Sequence, residues 1–137
     1  MLMNKSRYGG VLSTVKTKDY HVTMHTTHSS YQPFINQIEI KIKNLGSPYL
    51  YFDQKYRLEK YVYGTWYKIP FYRDVELTKR EVSVPEGESC RQTIDLHILD
   101  HPFDEGTYRV MKRISTERSH SSKEVMVAAR FYITTEH

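Results

Sequence analysis

Cysteine and tryptophan are nearly missing, with one of each among 137 residues. The lone Cys90 excludes an internal disulfide, a Cys-rich secreted scaffold and a cysteine-based zinc ribbon. No stretch approaches the ~18 apolar residues of a membrane helix. The opening ten residues also lack the apolar segment of a secretory leader. Glycine and proline number 6 and 5 and are scattered as turn punctuation, so no linker divides the chain. No segment repeats apolar residues at i, i+3, i+4 and i+7 over any length, which argues against helices. Glycine-rich phosphate loops, metalloprotease helices, calcium loops and the Gly-x-Ser-x-Gly elbow are absent too, so no common catalytic signature is present.

What is present is tyrosine. Twelve Tyr with five Phe bring the aromatic fraction to 13%, in a chain 39% hydrophobic and 26% charged. Those fractions are globular, and the length suits one domain. Tyrosine favours strands, because its ring packs on a pleated surface while its hydroxyl reaches water. The net charge of +4 is uneven: residues 1–70 hold 10 basic and 4 acidic side chains, residues 71–137 hold 10 and 12. A dispersed excess of this kind is a weak signal for polyanions, since nucleic-acid binders concentrate charge on one face.

Wherever a period can be found, it is two. Ile38, Ile40 and Ile42 alternate with Glu39, Lys41 and Lys43, the pattern of a strand with one wet face. Ile94, Leu96 and Ile98 repeat it, and Val125, Val127, Ala129, Phe131 and Ile133 form an unbroken inward stripe. His21–Thr26 offers an earlier strand. Tyr56–Tyr63 and Trp66–Ile69 make a hairpin through Gly64-Thr65, and neither face of its first strand is clean, so that strand is predicted to be covered on both sides. With Val82–Val84 and Thr107–Ile114, the series predicts an all-β antiparallel sandwich of about seven strands over residues 19–137. Residues 1–18, polar and basic, read as a flexible N-terminal arm.

The ordered set Ile38-Glu-Ile-Lys-Ile-Lys-Asn, Tyr56-Arg-Leu-Glu-Lys, Gly64-Thr-Trp-Tyr, Val84-Pro-Glu-Gly-Glu and Glu105-Gly-Thr-Tyr-Arg-Val-Met-Lys resembles the bacterial immunoglobulin-like domains of small Gram-positive proteins. It covers roughly residues 19–134. The resemblance implies an immunoglobulin-like fold and a non-catalytic binding or accessory module, in relatives that look like lipoproteins or extracytoplasmic proteins. This chain departs from them in lacking an N-terminal signal and a lipobox cysteine. A weaker likeness to the small intracellular proteinase inhibitors of bacilli implies an inhibitor as the alternative, with no inhibitory loop placed. Location follows the start: cytoplasmic if Met1 is native, extracytoplasmic or cell-surface if a leader has been removed.

Two aromatics read as structural. Tyr108, after Gly106 and near the start of the penultimate strand, suits a corner whose hydroxyl bonds back a few residues upstream. Trp66 reads as a core or half-core ring. Candidates for chemistry are few. His21 and His25 share a strand face about 13 Å apart, too far for one metal ion. His97 and His101 flank Asp100 without an oxyanion signature, so no catalytic residue, cofactor or metal is expected. Cys90 reads as a plain thiol, with Arg91 and Glu88 opposing each other on its pKa.

Ten of the eighteen aromatics fall between Tyr49 and Tyr72, more than one strand pair can bury. Their exposed members are predicted to bind a protein partner, because Tyr, Trp and Arg dominate hot spots. The set is Tyr61, Tyr63 and Tyr67, with Arg113 and Arg118 from the loop between the last two strands as a basic rim. A third reading, a weak polyanion binder, rests on Arg57, Lys60, Lys68, Lys112, Arg113 and Arg118. Nucleic acid is the less favoured partner, no membrane span is expected, and self-association is left open.

Overall fold

In the computed structural model, which describes residues 4–73, 75–77, 80–117 and 124–135, every regular element is a strand. Those of the first sheet are β1 (Thr14–Lys16), β2 (His21–Thr26), β4 (Gln37–Asn44) and β9 (Ser89–Asp95), paired antiparallel in the order β1-β2-β4-β9. The alternation of β4 decides its orientation. Ile38, Ile40 and Ile42 are buried against the second sheet while Lys41 and Lys43 stay exposed.

The second sheet is centred on β10 (Gly106–Ser115) and β11 (Glu124–Ile133), paired along ten residues. β3 (Ser30–Tyr31) lies parallel to the end of β11. The other edge of β10 is shared. Its first half pairs with β6 (Arg57–Val62) and its last residue with β5 (Leu50–Phe52). β7 (Thr65–Ile69) continues outward from β6, and β8 (Val82–Val84) from β5. Among the described residues eleven strands therefore stand where about seven were expected. Short strands such as β1, β3 and β5 account for the excess, and a bulge at Asp53–Tyr56 separates β5 from β6 along β10. Between the sheets, Met24, Ile40, Ile42 and Ile94 meet Leu58, Val110, Ile114, Val127 and Phe131 in one apolar core.

Turn chemistry closes the ends. The buried Asn44 side chain donates to the carbonyls of Pro48 and Val84 and accepts from the Gly46 amide. The Tyr108 hydroxyl donates to the Asp104 carbonyl at 2.8 Å, the expected corner.

Residues 4–16, expected as a loose arm, instead form a strap. The Ser6 amide donates to the Trp66 carbonyl and the Lys68 amide to the Asn4 carbonyl, so residues 4–6 line the free edge of β7. The chain then crosses the outer face of β6 and β10, where Arg109 holds the carbonyls of Tyr8 and Gly9. It reaches the edge of β11, where the Ala128 amide donates to the Leu12 carbonyl, and joins the first sheet as β1. Arg109, paired with Glu59, supplies the side-chain hydrogen bonds that hold the strap on this face.

Candidate functional site

The β6–β7 hairpin closes through Tyr63 and Gly64, at φ 47° and 83°. Two successive positive φ values make the primed turn that matches strand twist, and asparagine, aspartate or glycine ordinarily fills its first position. Here a fully exposed tyrosine fills it. Behind the tip, Trp66, Tyr61, Thr107 and Tyr132 lie directly opposite one another across β7, β6, β10 and β11. Tyr61 and Tyr132 are 43% and 46% exposed; at a strand spacing of about 4.8 Å they flank Thr107 roughly 10 Å apart. Trp66 is 9% exposed, packed on Tyr61 with ring centres 5.0 Å apart. Two guanidiniums cover it, Arg109 at 4.2 Å and the exposed Arg130 at 5.4 Å from the ring centre. The result is an aromatic row with an arginine beside it and a tyrosine at its tip.

Below the row lies a buried ion pair. Arg109 and Glu59 are both fully buried, and Arg109 Nε donates to Glu59 Oε1 at 2.9 Å. Arg57 Nε donates to the other carboxylate oxygen at 2.7 Å. Burial would raise the pKa of Glu59, but hydrogen bonds from Ser6, Arg57 and Arg109 hold it below the usual value. Strand β6 is thus covered on both faces, as expected: Leu58 by the core and Glu59 by the strap.

The structure separates the expected site residues. Tyr61 and Tyr63 stay together at the hairpin. Tyr67 pairs with Lys60 and shares the face of Leu58 and Ile69, opposite to Tyr61. Arg113 lies six residues along β10 from Thr107, about 20 Å away at the strand rise. The hairpin tip therefore lies at the opposite end of the sheet from the Ser115–Glu124 pair, so Arg113 does not rim the hairpin. Arg118 falls outside the described residues. The polyanion set does not form one surface either, because Lys112 is buried, Lys60 pairs with Asp104 at 2.8 Å, and Arg57 is held by Glu59. Sequence reasoning missed Tyr132, Arg130 and the Arg109–Glu59 pair. The one sequence signal for the pair was the mixed parity of β6.

The remaining candidates have plain settings. Lys112 Nζ donates to the Asp53 carbonyl at 2.7 Å and to Gln92 Oε1 at 2.6 Å, and burial lowers its pKa to about 8. Burial raises the Cys90 thiol above its ordinary value, the opposite of nucleophile activation. His25, His28 and His97 are exposed. Among the described residues no group of three metal-ligating side chains converges, and no helix is long and apolar enough to cross a membrane.

A sequence profile described as a bacterial Ig-like domain matches residues 18–132. No curated protein gives a match. Among solved structures, the chain is similar to a structural-genomics target named SoR45, with 13% identity, a TM-score of 0.46, and 90% of this chain and 96% of that one covered. It is also similar to a β-glucosidase from Listeria innocua crystallised with gluconolactone, with 17% identity and a TM-score of 0.35. That alignment covers 84% of this chain and 17% of the glucosidase.

Proposed function

Because the chain belongs to the bacterial Ig-like domain family, we propose that it is a non-catalytic accessory module that binds a protein partner through the aromatic row and the hairpin tip. The observation that carries this reading is Tyr63. A non-glycine residue in the left-handed region costs about 1–2 kcal/mol, and full exposure returns no burial energy to offset it. A strained backbone that holds a large ring out in water fits a contact made with something else. Tyr61, Tyr132 and Arg130 flank it with the residue types that dominate protein hot spots.

The experiment is site-specific photocrosslinking in the bacterial host, with the reactive side chain at position 63 or, as control, at Lys43 on the opposite sheet. A discrete adduct from position 63, absent from position 43 and lost when Tyr61 and Tyr132 are changed to alanine, is expected. A second copy of this chain is one partner the adduct would reveal. Identical adducts from both positions, or none from position 63, would refute the proposal.

A further inference from the structure

A second feature lies near the opposite end of β10 from the aromatic row. Ser115 pairs with Tyr51 and Met111 with Arg57, so five residues between Tyr51 and Arg57 face three on β10. At this bulge a cleft of about 720 Å3 opens, with Arg7, Tyr8, Arg113, Lys68, Tyr51 and Phe71 in its lining. That volume lies in the usual range of small-ligand sites, roughly 300–1,000 Å3.

The charges around Tyr8 are unbalanced. Arg113 donates to the Tyr8 hydroxyl at 2.8 Å and Arg7 at 3.2 Å, while Arg57 lies 5.1 Å from the centre of its ring. Arg57 shares the Glu59 carboxylate with Arg109. Arg7 and Arg113 have no carboxylate within ion-pair distance among the described residues. Asp53, Glu81, Glu117 and Glu124 also line the cleft. Arg57 and Arg109 thus share one carboxylate, while Arg7 and Arg113 meet over a neutral phenol that offers a hydrogen bond but no charge. Burial would raise the Tyr8 hydroxyl, yet these two guanidiniums bring its pKa below the ordinary value. Guanidinium forks match carboxylate and phosphate geometry, and an anion between them would relieve their repulsion.

We propose that this cleft binds a small organic anion, with the ligand's carboxylate or phosphate group held between Arg7 and Arg113. This site is separate from the aromatic row and does not depend on the protein-binding reading. The test is calorimetric titration of the full chain with citrate and with inorganic phosphate. Saturable binding of at least one, with one site per chain and weakening between about 50 and 200 mM salt, is expected. Arg113→Gln and Arg7→Gln should each weaken it roughly tenfold, the loss of one charge-assisted hydrogen bond. Lys43→Gln and Tyr63→Ala should leave it unchanged. Binding of citrate alone assigns a carboxylate ligand, and binding of phosphate alone a phosphorylated one. No saturable heat for either anion, retention in both arginine variants, or equal loss in Lys43→Gln overturns the proposal. Should Arg113→Gln fail to fold, Arg7→Gln, at an exposed strap residue, carries the test.

Discussion

Tyr63 and Trp66 are three residues apart and do opposite things. Tyr63 carries backbone strain and touches nothing; Trp66 is covered by Arg109 and Arg130. We expect Tyr63→Asn, which suits a positive φ, to melt no lower than wild type and up to a few degrees higher, a gain of about 1 kcal/mol. Trp66→Ala should lose about 3–5 kcal/mol. Thermal melts of the two variants decide this, and a Tyr63→Asn protein melting far below wild type would remove the strain interpretation. At Lys112 the informative variable is pH. Its folded pKa of about 8 lies below its ordinary 10.5, so between these values the unfolded chain binds a proton that the folded chain has released. Stability contributed by Lys112 therefore rises with pH across that window and is lost as pH falls through 8. In paired urea titrations, wild type should gain on Lys112→Met as pH rises from about 8 to 10. A stability difference that stays flat across this interval would contradict the assignment.

At the scale of elements, the strap and β6 depend on each other. Glu59 and Arg109 are placed on the outward face by the same alternation that sends Leu58 and Val110 into the core. Without Tyr8 and Gly9 above it, Arg109 would lose two carbonyl partners. Removing one member of a buried pair costs about 3–5 kcal/mol, because the other charge stays behind in a poor solvent. We expect Arg109→Met to show a loss of that order in denaturant unfolding. The double variant Glu59→Met with Arg109→Met should lose less than the sum of the single variants, since it strands no charge. Additive losses would mean that the two residues are not coupled. The Tyr108 corner is an element of another kind, closed by a bond to Asp104 four residues upstream, and that short range made it legible in the sequence.

Across the whole molecule, what the sequence determined by itself is local. Alternation in β4 and β11 decides which side chains face the core, because strand side chains point to opposite faces at a period of two. The stripe expected at Ile94, Leu96 and Ile98 departs from this, since β9 ends at Asp95 and Ile98 sits half-buried in a turn. Turn residues such as Asn44 and Gly64 mark where strands stop, and the ordered motifs identify the family. The hairpin was legible, and so was the exposure of Tyr63 beside its turn. Tertiary structure alone decided the rest. The row Trp66–Tyr61–Thr107–Tyr132 exists because β6 and β11 pair with β10 in one particular register, and a slip of one residue would turn Tyr61 and Tyr132 to the other face. The same register places Arg113 near the far end of β10, which is why it belongs to a different site from Tyr61. The strap joins Arg109 to Gly9 across 100 residues. No periodicity in residues 4–16 announces that contact, because the partner, Arg109, lies far along the chain and is brought to Gly9 only by folding.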